Sequence, residues 1–107
     1  MQFEGQAIRV QKIDSGLYEL IFDLQTEPVN KFNQLTLSEL KDAVTQLSAV
    51  KDIKGVLFSS AKDSFIVGAD ITEFSSLFDR GEAGLVEKLL ENHAIFNAVE
   101  DLPCPTV

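Results

Sequence analysis

Two short strand-like runs split by a turn, then a helix, then an apolar run, constrain this chain more than any other feature. Ile8 and Val10 alternate with Arg9 and Gln11, the period of a half-buried strand. Asp14-Ser15-Gly16 is a turn signal and Leu17 to Phe22 is rich in strand formers, so the two runs are expected to pair as a hairpin. Thr36-Leu37-Ser38-Glu39 has the form of a capping box, with Thr36 as cap and Glu39 reaching back to it. Leu37, Leu40, Val44 and Leu47 follow at helical spacing, Ala43 widens the stripe, and the helix is expected to end near Val50. Gly55-Val56-Leu57-Phe58-Ser59-Ser60 then reads as a buried strand, parallel to the hairpin because a helix intervenes. Hairpin, then alternating helix and strand, defines the fold class as α/β.

Between these elements lie two loops. Asp23 to Gln34 has no period and contains Pro28; it is long for a compact domain, which makes it a candidate for function. Ala61 to Val67 is the second. Asp70-Ile71-Thr72-Glu73 offers another capping signature, with Asp70 as cap, and Ile71, Phe74, Leu77 and Phe78 give that helix one apolar face. Asp79-Arg80-Gly81 breaks it. Glu82 to Val99 reads as a longer helix with Val86, Leu89, His93 and Phe96 on one stripe, ended by Pro103. Thr106-Val107 opens what looks like another strand, so residues 1–107 are expected to be the N-terminal part of a domain that continues past Val107.

Composition excludes several classes. Nine Lys and Arg face 17 Asp and Glu, a net charge of −8. Phosphate-backbone binding needs clustered basic residues, so nucleic acid is not expected as a partner, nor is an anionic membrane surface. No stretch approaches the ~18 apolar residues of a spanning helix, so no membrane span is expected. The start of the chain carries no basic segment followed by an apolar one, so a cytoplasmic location is expected. One cysteine, Cys104, forms no internal disulfide and no Cys-rich zinc site, and one histidine, His93, excludes a two-His motif; no metal site is expected. Both residues are read as structural, His93 through its place on the helix stripe.

The segment with chemical content is Ser64 to Phe74. An apolar run meets Gly68, a small Ala69 and then a helix cap. Gly68 lets the backbone turn without a Cβ clash. Ala69 keeps bulk away from its own amide. Early helical N–H groups have no intrahelical partner, so such a place can stabilise negative charge through backbone alone. For an acyl substrate that is half of an oxyanion hole. An ordinary strand-to-helix corner is the alternative. Asp70 and Glu73 are better explained as helix-cap residues than as catalytic carboxylates.

Phe65-Ile66-Val67-Gly68-Ala69-Asp70-Ile71-Thr72-Glu73-Phe74 resembles the first signature of the crotonase, or enoyl-CoA hydratase/isomerase, superfamily. Met1 to Gly5, Val29-Asn30-Lys31-Phe32, Lys54 to Ser60 and Phe96 to Pro103 extend the resemblance over essentially the whole chain. Within the superfamily it is most similar to the multifunctional branch of fatty acid β-oxidation. The resemblance implies a partial crotonase-like spiral of ββα units. It implies that the Ala69 N–H binds the thioester oxygen of an acyl-CoA, and that Ile66, Val67, Gly68 and Asp70 lie along the coenzyme A moiety. It also implies that Val29, Asn30 and Lys31 line the coenzyme A entrance, with Lys31 within reach of a phosphate; a solvated lysine is the alternative.

By the same resemblance, a second oxyanion N–H and two glutamates belong beyond Val107. A dehydrogenase half using NAD and a thiolase β-subunit partner belong to the parent, not to these residues. This chain alone is therefore expected to be inactive and to need no cofactor of its own. Two other readings stay open: a stand-alone hydratase or isomerase, and a non-catalytic acyl-CoA-binding module.

Overall fold

A computed structural model describes residues 1–70, 73, 79 and 81–107. The elements are β1 (Phe3–Glu4), β2 (Ile8–Asp14), β3 (Leu17–Phe22), α1 (Gln34–Ser48), β4 (Gly55–Ser60) and α2 (Gly81–Glu100). The four strands form one mixed sheet in the order β1-β2-β3-β4. β2 and β3 form the expected antiparallel hairpin, and β4 joins β3 in parallel with Leu20 opposite Phe58. The turn places Gly16 at φ +75°, a left-handed conformation that glycine adopts without a Cβ penalty. β1 was not anticipated; two residues are too few to show a period.

Helix α1 packs the expected stripe onto the sheet. Leu37, Leu40, Ala43, Val44 and Leu47 are buried against Ile8, Val10, Leu20 and Phe22. Each fully buried leucine of this kind contributes ~1.5–3 kcal/mol. The cap differs from the expected box. Asn33 is the N-cap, its side chain accepting from the Thr36 N–H at 2.8 Å, so the helix starts two residues before Thr36. Glu39 does not reach back. Its carboxylate accepts the N–H groups of Gln6, Ala7 and Ile8 at 2.9, 2.9 and 3.0 Å, where the chain enters β2. A carboxylate satisfies three convergent donors there better than one helical N–H. The helix ends at Ser48 with Ala49 as its C-cap.

Two further expectations need correction. β4 is buried on one face only: Val56 is buried and Phe58 packs on the core, while Leu57 is 39% exposed. In α2, Ile95 is the buried residue, whereas Val86, Leu89, His93 and Phe96 lie on exposed positions. The apolar residues of α2 outnumber the surface that the described chain offers them. His93 is therefore not a core histidine. The apolar face expected at Ile71, Phe74, Leu77 and Phe78 lies outside the described residues, as does Arg80 of the break expected at Asp79-Arg80-Gly81, while Gly81, at φ +78°, opens α2. Beyond α2, residues 105–107 run alongside β4 in parallel. Val56 donates to the Pro105 carbonyl at 3.1 Å and Phe58 to that of Val107 at 2.7 Å, as the apolar start at Thr106-Val107 suggested.

Candidate functional site

The loop after β3 and the segment after β4 meet beyond the ends of those two parallel strands. The Val67 N–H donates to the Asn30 carbonyl at 3.0 Å, and the Phe32 N–H to the Gly68 carbonyl at 2.9 Å. The Asp70 N–H donates to the Phe32 carbonyl at 3.3 Å, and Phe32 and Ala69 pair as a parallel bridge. Both candidate stretches, Val29 to Lys31 and Ile66 to Asp70, are thus brought together.

That ladder determines where the Ala69 amide points. In a parallel pair one residue bonds to the two flanking its opposite number. Phe32 therefore uses Gly68 and Asp70, and the N–H and C=O of Ala69 face the other way. Among the described residues the Ala69 N–H has no acceptor. Ala69 itself is exposed. Gly68 sits at φ +132°, and a Cβ there would meet nothing within 4 Å. Backbone conformation, not crowding, is what demands glycine.

Ala69 lies on the wall of a cavity of about 170 Å³ between this ladder, the start of α1 and α2. Phe32, Leu37, Leu89 and Phe96 supply most of its apolar lining. Phe32 and Phe96 meet edge to face, with centroids 5.3 Å apart. Glu73 and Lys88 stand at the same cavity. Phe32 belongs to the Val29 to Phe32 loop that the resemblance pointed to, whereas Leu89 and Phe96 were missed as site residues, because aromatic and aliphatic side chains carry no chemical signature in sequence.

The remaining candidates divide by exposure. Ile66 is half-buried and packs on the core, while Val67 is 58% exposed. Val29 is half-buried. Lys31 is half-buried, with its ammonium 3.3 Å from Glu27. Asp70 is half-buried, and its carbonyl accepts the Glu73 N–H at 3.2 Å, as a helix start would. The Asn30 side chain does not line an entrance. It is 1% exposed and spent on Phe22, Leu24, Ser60 and Phe65. The Glu73 carboxylate accepts the Gln34 N–H at 2.7 Å, in the first turn of α1.

Charged groups with altered acidity sit elsewhere. Arg9 at 2.6 Å, with Lys62 at 3.2 Å, holds the Asp23 carboxyl below its usual range. The Ser59 hydroxyl, and then the Gln11 amide, do the same for Glu19. Burial pushes the Cys104 thiol up. Among the described residues no three His, Cys, Asp or Glu gather closely enough to hold a metal ion. No helix among the described residues is long and apolar enough to cross a membrane.

No family model matches the chain. Among solved structures it is similar to an enoyl-CoA hydratase/carnithine racemase from Magnetospirillum magneticum, with a TM-score of 0.83 at 22% identity, covering 98% of this chain and 38% of that one. An enoyl-CoA hydratase from Bacillus anthracis aligns with a TM-score of 0.77 at 22% identity, over 94% of this chain and 38% of its own. Such likeness defines the class: the chain has the crotonase fold, over a length that matches 38% of each of these structures. Sequence takes the assignment further. The chain is 57% identical over all 107 residues to the fatty acid oxidation complex subunit alpha of Pseudomonas putida (strain GB-1), and 56% identical to that of Ectopseudomonas oleovorans. Along its whole length it is therefore similar to part of the alpha subunit of the fatty acid oxidation complex. It spans 15% of the length of those curated relatives.

Proposed function

We propose that this chain is the N-terminal part of an enoyl-CoA hydratase/isomerase domain and supplies one of the two oxyanion donors for a 2-enoyl-CoA. The observation that carries this is the Ala69 N–H, without an acceptor among the described residues and turned away from the ladder that holds its neighbours. Hydration of a 2-enoyl thioester builds enolate charge on the thioester oxygen. A fixed backbone donor aimed at that oxygen stabilises the charge without reorganising. The cavity beside Ala69, with Phe32 and Phe96 in its wall, suits the apolar acyl chain.

One donor is not a catalyst. Water activation and α-proton handling need positioned carboxyl groups within hydrogen-bond reach. The Glu73 carboxylate engages the Gln34 N–H of α1 instead. We therefore assign the second donor and the acid and base to the rest of the parent. The isomerase activity, the NAD-dependent 3-hydroxyacyl-CoA dehydrogenase activity, the thiolase β-subunit partner and the cytoplasmic location are assigned to the parent with them.

The test is Ala69→Pro in the full-length protein, which deletes the N–H. The expected result is a kcat for crotonyl-CoA hydration about 10²–10³ lower, the usual effect of one lost oxyanion donor, with circular dichroism unchanged. Unchanged kcat in a folded variant refutes the role of Ala69. Acyl-CoA binding by a wild-type full-length protein that hydrates nothing would instead favour the binding-module reading.

A further inference from the structure

The Asn30 side chain ties the oxyanion segment to the sheet. Its Oδ1 accepts the Leu24 N–H at 3.0 Å, just past β3. Its Nδ2 reaches the Ser60 hydroxyl at 2.8 Å, the Phe65 carbonyl at 2.9 Å and the Phe22 carbonyl at 3.1 Å. The orientation of the amide is fixed by these partners, because a backbone N–H only donates and a carbonyl only accepts. Two hydrogens serve three acceptors, so the longest contact, to Phe22, is shared. The residue also acts through its backbone: the Asn30 carbonyl takes the Val67 N–H. One residue thus grips the oxyanion segment at Phe65 and again at Val67.

The anchor on the other side is rigid. Phe22 and Ser60 end the two parallel strands and pair with each other in register, and Leu20 and Phe22 are buried in the core. Ser60 extends the grip by donating to the Ser64 carbonyl at 2.7 Å and accepting the Lys62 N–H at 3.0 Å. Every residue from Ser64 to Val67 is thereby fixed or adjacent to a fixed residue before the chain reaches Gly68, whose backbone is the most permissive in the segment.

We infer that Asn30 is a positioning residue for the Ala69 N–H: its amide bolts the Phe65–Val67 stretch to the ends of β3 and β4 and so preorganises the oxyanion donor. This rests on the role proposed for Ala69. A donor that stabilises developing charge must be aimed before the charge appears, and misplacement by about 1 Å can cost about 100-fold in rate. The donor half of the amide carries the effect, because Phe65 is held through Nδ2, whereas Oδ1 serves only Leu24.

The experiment compares Asn30→Asp, Asn30→Ala and Asn33→Ala in the full-length protein. Asn30→Asp keeps the acceptor for Leu24 and loses both donor hydrogens. Asn33→Ala removes the α1 cap, a purely structural contact. Both Asn30 variants are expected to lower kcat for crotonyl-CoA about 100-fold with KM little changed, while Asn33→Ala keeps wild-type kcat at a comparable loss of thermal stability. Equal kcat losses in all three, or none in Asn30→Asp, overturn the inference. Hydrogen exchange supplies a readout independent of turnover. The Phe32, Val67 and Asp70 amides should lose protection in Asn30→Asp while α1 amides keep theirs; unchanged protection overturns the inference. If the wild-type protein hydrates nothing, the proposed reaction fails, and exchange alone still decides whether Asn30 positions the segment.

Discussion

The carboxylate of Glu39 closes the entry to β2, and removing it should cost a large share of the chain's stability. It accepts three backbone N–H groups, those of Gln6, Ala7 and Ile8. Gln6 is exposed and can turn to water, but Ala7 and Ile8 are 1% and 0% exposed. In Glu39→Ala, two buried donors lose their acceptor, at ~1–3 kcal/mol each, or about 3 kcal/mol together. A domain of this size holds roughly 5–15 kcal/mol in all. Gly5 provides an independent route to the same loss. A Cβ at Gly5 would overlap the Glu39 carboxylate, so Gly5→Ala must expel it and forfeit the same three bonds. Once Glu39 is alanine, Gly5→Ala should cost little more. The double variant should therefore lose about 3 kcal/mol rather than the sum of the two singles. Urea unfolding of the chain, followed by circular dichroism, reads this. With a slope of about 1–3 kcal/mol per molar, each single variant should lower the midpoint by about 1 M or more. Additive losses, or a Glu39→Ala loss under about 1 kcal/mol, would refute the argument.

The Asp23 carboxyl is held low by Arg9, with Lys62 assisting, so its folded pKa lies below the unfolded one. Its contribution is present above the ordinary aspartate range and lost as pH falls through the folded pKa; Arg9→Ala should destabilise at pH 7 and converge with wild type in acid, and a constant difference across pH would contradict this. Val86, Leu89, Leu90 and Phe96 of α2 are 41–62% exposed, so the isolated chain should self-associate. Leu90→Glu should shift its sedimentation toward monomer, and a wild-type monomer at high concentration counts against the reading. The half-buried Cys104 thiol is pushed up by burial and should react with iodoacetamide at neutral pH more slowly than a free thiol in urea. Equal rates would show it to be open to solvent.

The sequence by itself determined the elements whose causes are local. Alternation at Ile8 and Val10, the turn at Ser15-Gly16 and the stripe from Leu37 to Leu47 all produced what their periods imply, because each period selects the face that must leave water. Only the tertiary structure decided the partners of the polar side chains. Glu39 and Glu73 each stand where a capping motif expects them, yet they serve residues 31–33 and 39 positions away. Asn30, read as a wall of an entrance, is buried as a clamp. α2 is apolar on more sides than one, so its sequence could not say that Ile95 would be buried and Val86 left exposed. Burial follows from short-range periodicity. A hydrogen bond goes to whichever buried donor or acceptor the fold leaves unsatisfied nearby, and that group can come from anywhere in the chain.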